Sequence, residues 1–184
     1  MQLKSVLTLL VLTFVYPIYA ADLDAGKTKA LSCSGCHGEK GNSKNPQFPI
    51  LAGQPSMYLI NQLMAFQSAE RPGPMMQNMA KSLSKDDINN LAAFFSQSKT
   101  VSAGGNAKLA AKGKDKANMC MGCHAADLNG RSGIPKLAGQ HPAYLEKQLK
   151  AFKQGDRVGG PMRGVASSLS EDDIKAIAAY LGTL

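Results

Sequence analysis

Two five-residue stretches decide the reading of this chain: Cys33-Ser34-Gly35-Cys36-His37 and Cys120-Met121-Gly122-Cys123-His124, at an offset of 87 positions. Working outward, Phe48-Pro49-Ile50-Leu51-Ala52-Gly53-Gln54 returns as Ile134-Pro135-Lys136-Leu137-Ala138-Gly139-Gln140, at an offset of 86. The same offset pairs Tyr58 with Tyr144, Gln62-Leu63 with Gln148-Leu149, Ala65-Phe66 with Ala151-Phe152 and Arg71 with Arg157. It then pairs Leu83-Ser84 with Leu169-Ser170 and Asp86-Asp87-Ile88 with Asp172-Asp173-Ile174. A single-residue length difference falls in the loops 38–48 and 125–134. Agreement sustained over about 70 residues is a tandem duplication.

The 184 residues divide accordingly. Met1–Ala20 carries one charge, Lys4, then an apolar run from Val6 to Val15, Pro17 and small residues ending in Ala20-Ala21. That pattern reads as a secretory signal peptide; the run is short for a membrane anchor. Residues 99–109 have linker composition, with Thr100-Val101-Ser102-Ala103-Gly104-Gly105-Asn106 at their centre. The expected organisation is a signal peptide over 1–20, one domain over 21–100 and a second over 101–184. Each half reads as helical. Asp24–Leu31 and Leu109–Asn118 lead into the cysteine motifs, and Pro55 and Pro142 stand where a first-turn proline opens a helix. Tyr58, Leu63 and Phe66 follow at helical spacing. Ser84-x-x-Asp87 and Ser170-x-x-Asp173 have the pattern of capping boxes ahead of amphipathic last helices. No convincing period-2 strand is present. The expected class is all-α, two domains of three to four helices each.

Two of the three histidines directly follow a C-x-x-C, so each motif reads C-x-x-C-H, the pattern of covalent haem c attachment. Two thiols three residues apart can form thioethers to the two vinyl groups of one porphyrin, and the adjacent imidazole then serves as proximal iron ligand. A disulfide pair leaves both histidines unexplained. A four-cysteine zinc site needs the pairs to converge, whereas the duplication separates them. A thioredoxin-like dithiol expects a βαβ setting. Domain size points the same way, because a unit of about 80 residues is marginal without a large apolar body to pack around.

The repeat also constrains a sixth ligand. After the second motif only Met162 remains among methionines and only His141 among histidines. Met162 corresponds to Met76, and His141 corresponds to Pro55, so a ligand shared by both halves is available to methionine alone. Met75 and Met79 compete with Met76 by composition and are read as packing residues. Met57, Met64, Met119 and Met121 are read as core or haem-edge residues. His141 is read as an ordinary helix-start residue at the surface. Methionine opposite histidine raises the reduction potential and leaves no open coordination position, which favours carrying electrons over catalysis.

Taken together, the two C-x-x-C-H motifs, the repeated Pro-x-Leu-Ala-Gly-Gln, the Tyr-x-x-x-Gln-Leu helix and Met-x-x-x-x-x-x-Leu-Ser-x-x-Asp-Ile resemble the cytochrome c4 family. These are dihaem class I cytochromes c of the bacterial periplasm, and the resemblance spans essentially the whole mature chain. It implies two tandem cytochrome c-like domains, each wrapped around one covalent haem c. By that likeness the first haem is attached at Cys33 and Cys36 with axial His37 and Met76. The second is attached at Cys120 and Cys123 with axial His124 and Met162. It further implies that Gly26 and Gly113 let first and last helices cross closely, against Phe94 and Tyr180. Pro49 and Pro135 are placed on the proximal side of the haems, and the two domains are related by a pseudo-twofold axis.

Charge constrains the partners. Residues 21–100 hold 8 basic and 6 acidic residues, and residues 101–184 hold 12 and 7. Four haem propionates would lower the positive balance by about four units at neutral pH. An exported protein without a nucleic-acid reader motif is not expected to bind nucleic acid, despite a pI of 9.4. The lysine-richer second half suits docking to an acidic redox partner or an anionic membrane surface. The resemblance implies a periplasmic electron carrier, fed by a quinol–cytochrome c oxidoreductase or a dehydrogenase and donating to a terminal oxidase. The alternatives are a cytochrome subunit of a dehydrogenase complex, of the flavocytochrome sulfide dehydrogenase type, and a dihaem peroxidase. The matched methionines argue against the peroxidase.

Overall fold

A computed structural model describes residues 20–184. The expected export signal, residues 1–20, lies outside them apart from Ala20. The first half contains α1 (Leu23–Ala30), α2 (Ser34–His37), α3 (Ser56–Gln67), α4 (Pro74–Lys81) and α5 (Lys85–Gln97). The second half repeats the order with α6 (Ala107–Gly113), α7 (Asn118–His124), α8 (Pro142–Gln154), α9 (Met162–Ser167) and α10 (Glu171–Gly182). Among the described residues the only β-type pairing is an isolated bridge between Arg131 and Ile134. The class is all-α, as expected. Each half has five helices rather than three or four, because the C-x-x-C-H and methionine segments wind into short helices of their own. No described helix is long and apolar enough to cross a membrane.

Local chemistry fixes the helix ends. Asp22 accepts from the backbone N–H groups of Asp24 and Ala25 to open α1, and Asn106 accepts from Leu109 N–H to open α6. Both expected capping boxes form, Ser84 with Asp87 and Ser170 with Asp173. The two prolines differ by one position. Pro55 is the residue preceding α3, whereas Pro142 is the first residue of α8, where its missing N–H costs no helical bond.

In each half the first helix crosses the last: α1 packs on α5, and α6 on α10. Glycine permits the crossing. A Cβ on Gly26 would stand 2.2 Å from the Asn90 carbonyl oxygen and 3.1 Å from Phe94 Cβ. A Cβ on Gly113 would stand 2.0 Å from the Ala176 carbonyl oxygen. The second crossing thus meets the backbone of α10 at Ala176, one turn before Tyr180. The first core gathers Ala30, Leu59, Leu91, Ala92 and Phe95, with Cys33 packed against it. The second is built around Leu128, Leu145, Ile174, Ile177 and Leu181, with Cys120 and Met121 packed against it. The thiol-bearing helices therefore lie on the edge of each apolar core.

The halves meet through reciprocal hydrogen bonds. Gln54 Nε2 donates to the Lys136 carbonyl while its Oε1 accepts from Lys136 N–H. Gln140 does the same to Ile50. Arg71 donates to Gln62 of its own half and to Tyr144 and Gln148 of the other. Arg157 donates to Gln148 of its own half and to Tyr58 and Gln62 of the other. Each guanidinium also lies 4.6 Å from the centre of a phenyl ring, Phe66 and Phe152 respectively. Every one of these contacts maps onto its mate under the 86-residue offset, which is a pseudo-twofold relation. The connector is tied to both halves: Thr100 Oγ1 donates to the Ala52 carbonyl, and Ser102 Oγ to the Gly182 carbonyl.

Candidate haem-binding sites

Each site starts from one short helix. α2 carries Cys33 at its N-terminal boundary, Cys36 within it and His37 as its last residue; α7 contains Cys120, Cys123 and His124 in the same order. Winding the motif as a helix places both thiols and the imidazole within about one and a half turns. Both helices stop on a residue of positive φ immediately after the histidine, Gly38 at 75° and Ala125 at 69°. The chain then loops back, so that the Pro-x-Leu-Ala-Gly-Gln segment lies beside the histidine.

That return positions the ring. His37 Nδ1 is 2.9 Å from the Pro49 carbonyl oxygen, and His124 Nδ1 is 2.8 Å from the Pro135 carbonyl oxygen. A carbonyl can only accept, so Nδ1 donates and Nε2 of the neutral ring keeps its lone pair. Both histidines are 6% exposed. Burial pushes both imidazoles below their ordinary pKa, with the proline carbonyl working in the opposite direction. A neutral imidazole with one nitrogen oriented by a backbone carbonyl and the other free to donate is a metal-ligand arrangement.

The cysteines have the complementary character. No disulfide joins any of the four, against the disulfide reading, so both sulfurs of each pair are left for thioether bonds. Cys33 and Cys120 are half-buried on their cores, and Cys36 and Cys123 are exposed. Burial pushes the Cys33 and Cys120 thiols up. Among the described residues no group of three or more His, Cys, Asp or Glu gathers as a metal site, which removes the four-cysteine zinc reading. The donor set fits a group that takes two thiols and one imidazole from a single helix, which is what haem c requires.

The methionines separate by burial. Met76, in the first turn of α4, and Met162, the first residue of α9, are half-buried. Met75 and Met79 are 58% and 44% exposed. Met57, Met64 and Met119 are also at least half exposed and are not core residues, whereas Met121 packs on the second core.

The family model described as cytochrome c matches residues 23–99 and again 110–184. A cytochrome c4 from Stutzerimonas stutzeri is 39% identical over 88% of this chain and 89% of its own length. The chain belongs to the cytochrome c4 family. A crystal structure of reduced recombinant cytochrome c4 from Pseudomonas stutzeri superposes with a TM-score of 0.84 at 38% identity, covering 90% of this chain and 100% of that one. A protein of Thiomonas intermedia called thiosulfate dehydrogenase electron acceptor is 32% identical over 97% of this chain and 90% of its own length. As a cytochrome c4 the chain is a dihaem c-type electron carrier with two covalently bound haem c groups.

One residue reading is corrected. His141 is not a surface residue: it is 6% exposed, and its Nε2 lies 2.9 Å from the Ser43 carbonyl of the other half. It directly precedes α8, as expected of a helix-start residue, but its ring packs against the first half rather than facing solvent. The structural roles of Gln54, Gln140, Arg71 and Arg157 were also not assigned from sequence, although their recurrence at one offset was a visible signal. Ser43 gave no signal at all.

Proposed function

We propose that one haem is held by Cys33 and Cys36 with His37 and Met76 as axial ligands, and the other by Cys120 and Cys123 with His124 and Met162. The observation that carries this is the matched pair of Nδ1–carbonyl bonds, His37 to Pro49 and His124 to Pro135, which leaves Nε2 as the donor in both halves. When bound, each haem supplies an iron that alternates between ferric and ferrous states. The chain's part is to fix each imidazole by its proline carbonyl, to present a half-buried thioether sulfur, and to exclude water with the apolar cores. Arg71 and Arg157 add a second contribution. Their hydrogen-bond acceptors are all neutral, so two guanidinium charges at the boundary are available to haem propionates.

With a methionine sulfur and an imidazole both supplied to the iron in each half, no coordination position would be left for a substrate, and the protein would act as a carrier rather than as an enzyme. Residues 1–20 serve as an export signal, and the mature carrier works in the periplasm as a domain over 21–100 and a domain over 101–184. It takes electrons from a quinol–cytochrome c oxidoreductase or a dehydrogenase and passes them to a terminal oxidase. A second reading, electron acceptor within a dehydrogenase system, is favoured by the likeness to the Thiomonas intermedia protein. Mass spectrometry and an optical spectrum of the exported holoprotein test the ligation. Two haem masses and a far-red charge-transfer band in the ferric state are expected, and a high-spin ferric spectrum would refute it. Co-purification with a dehydrogenase would decide for the second reading.

A further inference from the structure

The two halves are reciprocal at almost every cross-boundary contact, and the exception lies against the first motif. Position 141 is histidine where the first half has Pro55. The backbones there are the same, with φ −56° and ψ 125° at His141 and φ −53° and ψ 130° at Pro55. Backbone geometry therefore does not require the histidine; what sets the position apart is its ring. That ring reaches into the first half, where Nε2 donates to the Ser43 carbonyl at 2.9 Å. Ser43, itself 6% exposed, has its hydroxyl between two carbonyls, that of Cys36 at 3.2 Å and that of Asn45 at 3.1 Å, and accepts from Asn45 N–H, so it ties the Cys36 turn to the loop that follows. Cys36 is the residue before His37. The neighbouring Gln140 holds Ile50, the residue after the Pro49 whose carbonyl orients His37. One dipeptide of the second half, Gln140-His141, thus grips both segments that fix the first proximal histidine.

The second motif has only one of those grips. Gln54 holds Lys136, beside Pro135, as Gln140 holds Ile50. The carbonyls at the end of α7 are capped from within their own half, by Arg131 on Cys123 at 3.2 Å and on Gly122 at 2.7 Å. The first C-x-x-C-H turn depends on the other half, and the second does not.

We propose that His141 is a positioning residue for the first haem, acting across the domain boundary through Ser43 on the turn that carries His37. This rests on haem attachment at Cys33 and Cys36. Loss of the His141 bond leaves the Ser43 segment held only from within its own half, by Cys36 and Asn45, and loosens the wall against which the His37–Pro49 bond is set. A weaker acceptor at Nδ1 makes the imidazole a poorer electron donor to iron, which favours the ferrous state. The substitution therefore acts on one haem and spares the other.

The test is a redox titration of the holoprotein followed by NMR, with the first haem recognised by its through-space couplings to residues of the first half. In His141→Phe the reduction equilibrium of the first haem shifts towards ferrous by about three- to tenfold, roughly 30–60 mV at 59 mV per tenfold, and the second haem stays where it is. His141→Gln keeps an N–H donor of similar reach and restores the first haem. Ser43→Ala retains the carbonyl but cuts the link to Cys36; it shifts the first haem in the same direction, and the double variant shifts it no further than the larger single. This variant also serves if His141→Phe fails to fold. No shift in Ser43→Ala, equal shifts at both haems, additivity, or failure of glutamine to rescue would each overturn the proposal. A wild-type mass short of two haems, or a spectrum lacking two low-spin haems, would instead overturn the attachment and ligation on which it stands.

Discussion

The Gln140 side chain and the Ile50 backbone exchange two hydrogen bonds across the domain boundary, Nε2 donating to the carbonyl at 2.9 Å and Oε1 accepting from N–H at 2.8 Å. Both residues are buried, at 4% and 3% exposure, so water cannot replace either bond after truncation. Gln140→Ala removes the partner of the buried Ile50 N–H and carbonyl, and of the His141 N–H that shares Oε1, and should cost at least about 1–3 kcal/mol. The mate of this pair, Gln54 on Lys136, is only partly buried, because Lys136 is a half-buried residue whereas Ile50 is fully buried. Gln54→Ala should therefore cost less. Urea unfolding of the two holoproteins measures the difference, and equal costs would contradict the argument.

The helix crossings make a sharper demand. A methyl group on Gly26 or Gly113 would sit 2.2 Å or 2.0 Å from a backbone carbonyl oxygen of α5 or α10. Backbone cannot rotate aside as a side chain can, so the helices must separate. Gly26→Ala and Gly113→Ala should each destabilise by about 2–4 kcal/mol despite the better helix propensity of alanine. Thermal melts of the holoproteins check this, and an unchanged or raised Tm would show that the helices do not cross as closely as described.

The opposite substitution is expected to help at one place. Ala125 ends α7 with φ 69° and ψ 157°, a region suited to glycine, and its counterpart Gly38 has φ 75° and ψ 169°. Ala125→Gly should relieve about 1 kcal/mol or more of backbone strain, less the extra entropy glycine brings to the unfolded chain. The net change should be a small rise in Tm, with no change in the optical spectrum.

What was legible in the sequence follows from what each feature depends on. The duplication, both capping boxes and the all-α class rest on short-range chemistry or on the repeat itself, whereas the placement of Pro49 and Pro135 near the histidines comes only with the family resemblance. His141 was misplaced because its partner, the Ser43 carbonyl, is 98 residues away and is a backbone atom with no sequence pattern. The repeat was misleading there, since it related His141 to a proline and so hid an asymmetric contact. Gln54 and Gln140 were visible as a recurring pair, but a polar residue after Leu-Ala-Gly does not reveal that it spans a domain boundary. The short helices α2, α4, α7 and α9 are not legible for a different reason: at four to eight residues they give no long periodic run of apolar positions.

The methionine assignment can be separated by substitution. Met76 is half-buried, whereas Met75 and Met79, one and three positions away, are 58% and 44% exposed. Met76→Ala and Met162→Ala should each remove about half of the ferric far-red charge-transfer intensity. Axial ligands set haem potentials over about 0.8 V, so the affected haem should fall by roughly 0.1 V or more. Met75→Ala and Met79→Ala should leave both the band and the potentials in place. Loss of intensity in either of those two variants would move the ligand away from Met76.

Acid sensitivity should concentrate at the start of α10. The Asp173 carboxyl is held down at about 2, first by the Lys116 side chain and then by the Ser170 hydroxyl and backbone N–H of its capping box. Its ordinary value is 3.8, so the folded state binds this proton less readily than the unfolded chain does. A depressed carboxyl contributes stability that is fully present above pH 3.8 and is lost as the pH falls towards 2. Lys116 stands on the segment after α6, so that contribution also ties the two crossing helices together. Asp173→Asn keeps the shape but removes the charge. The wild-type advantage over this variant in urea midpoint should therefore be constant from pH 7 down to about pH 5, then shrink steadily between about pH 4 and pH 2. An advantage that persists unchanged at pH 2 would mean that the cap, rather than the carboxylate charge, supplies it.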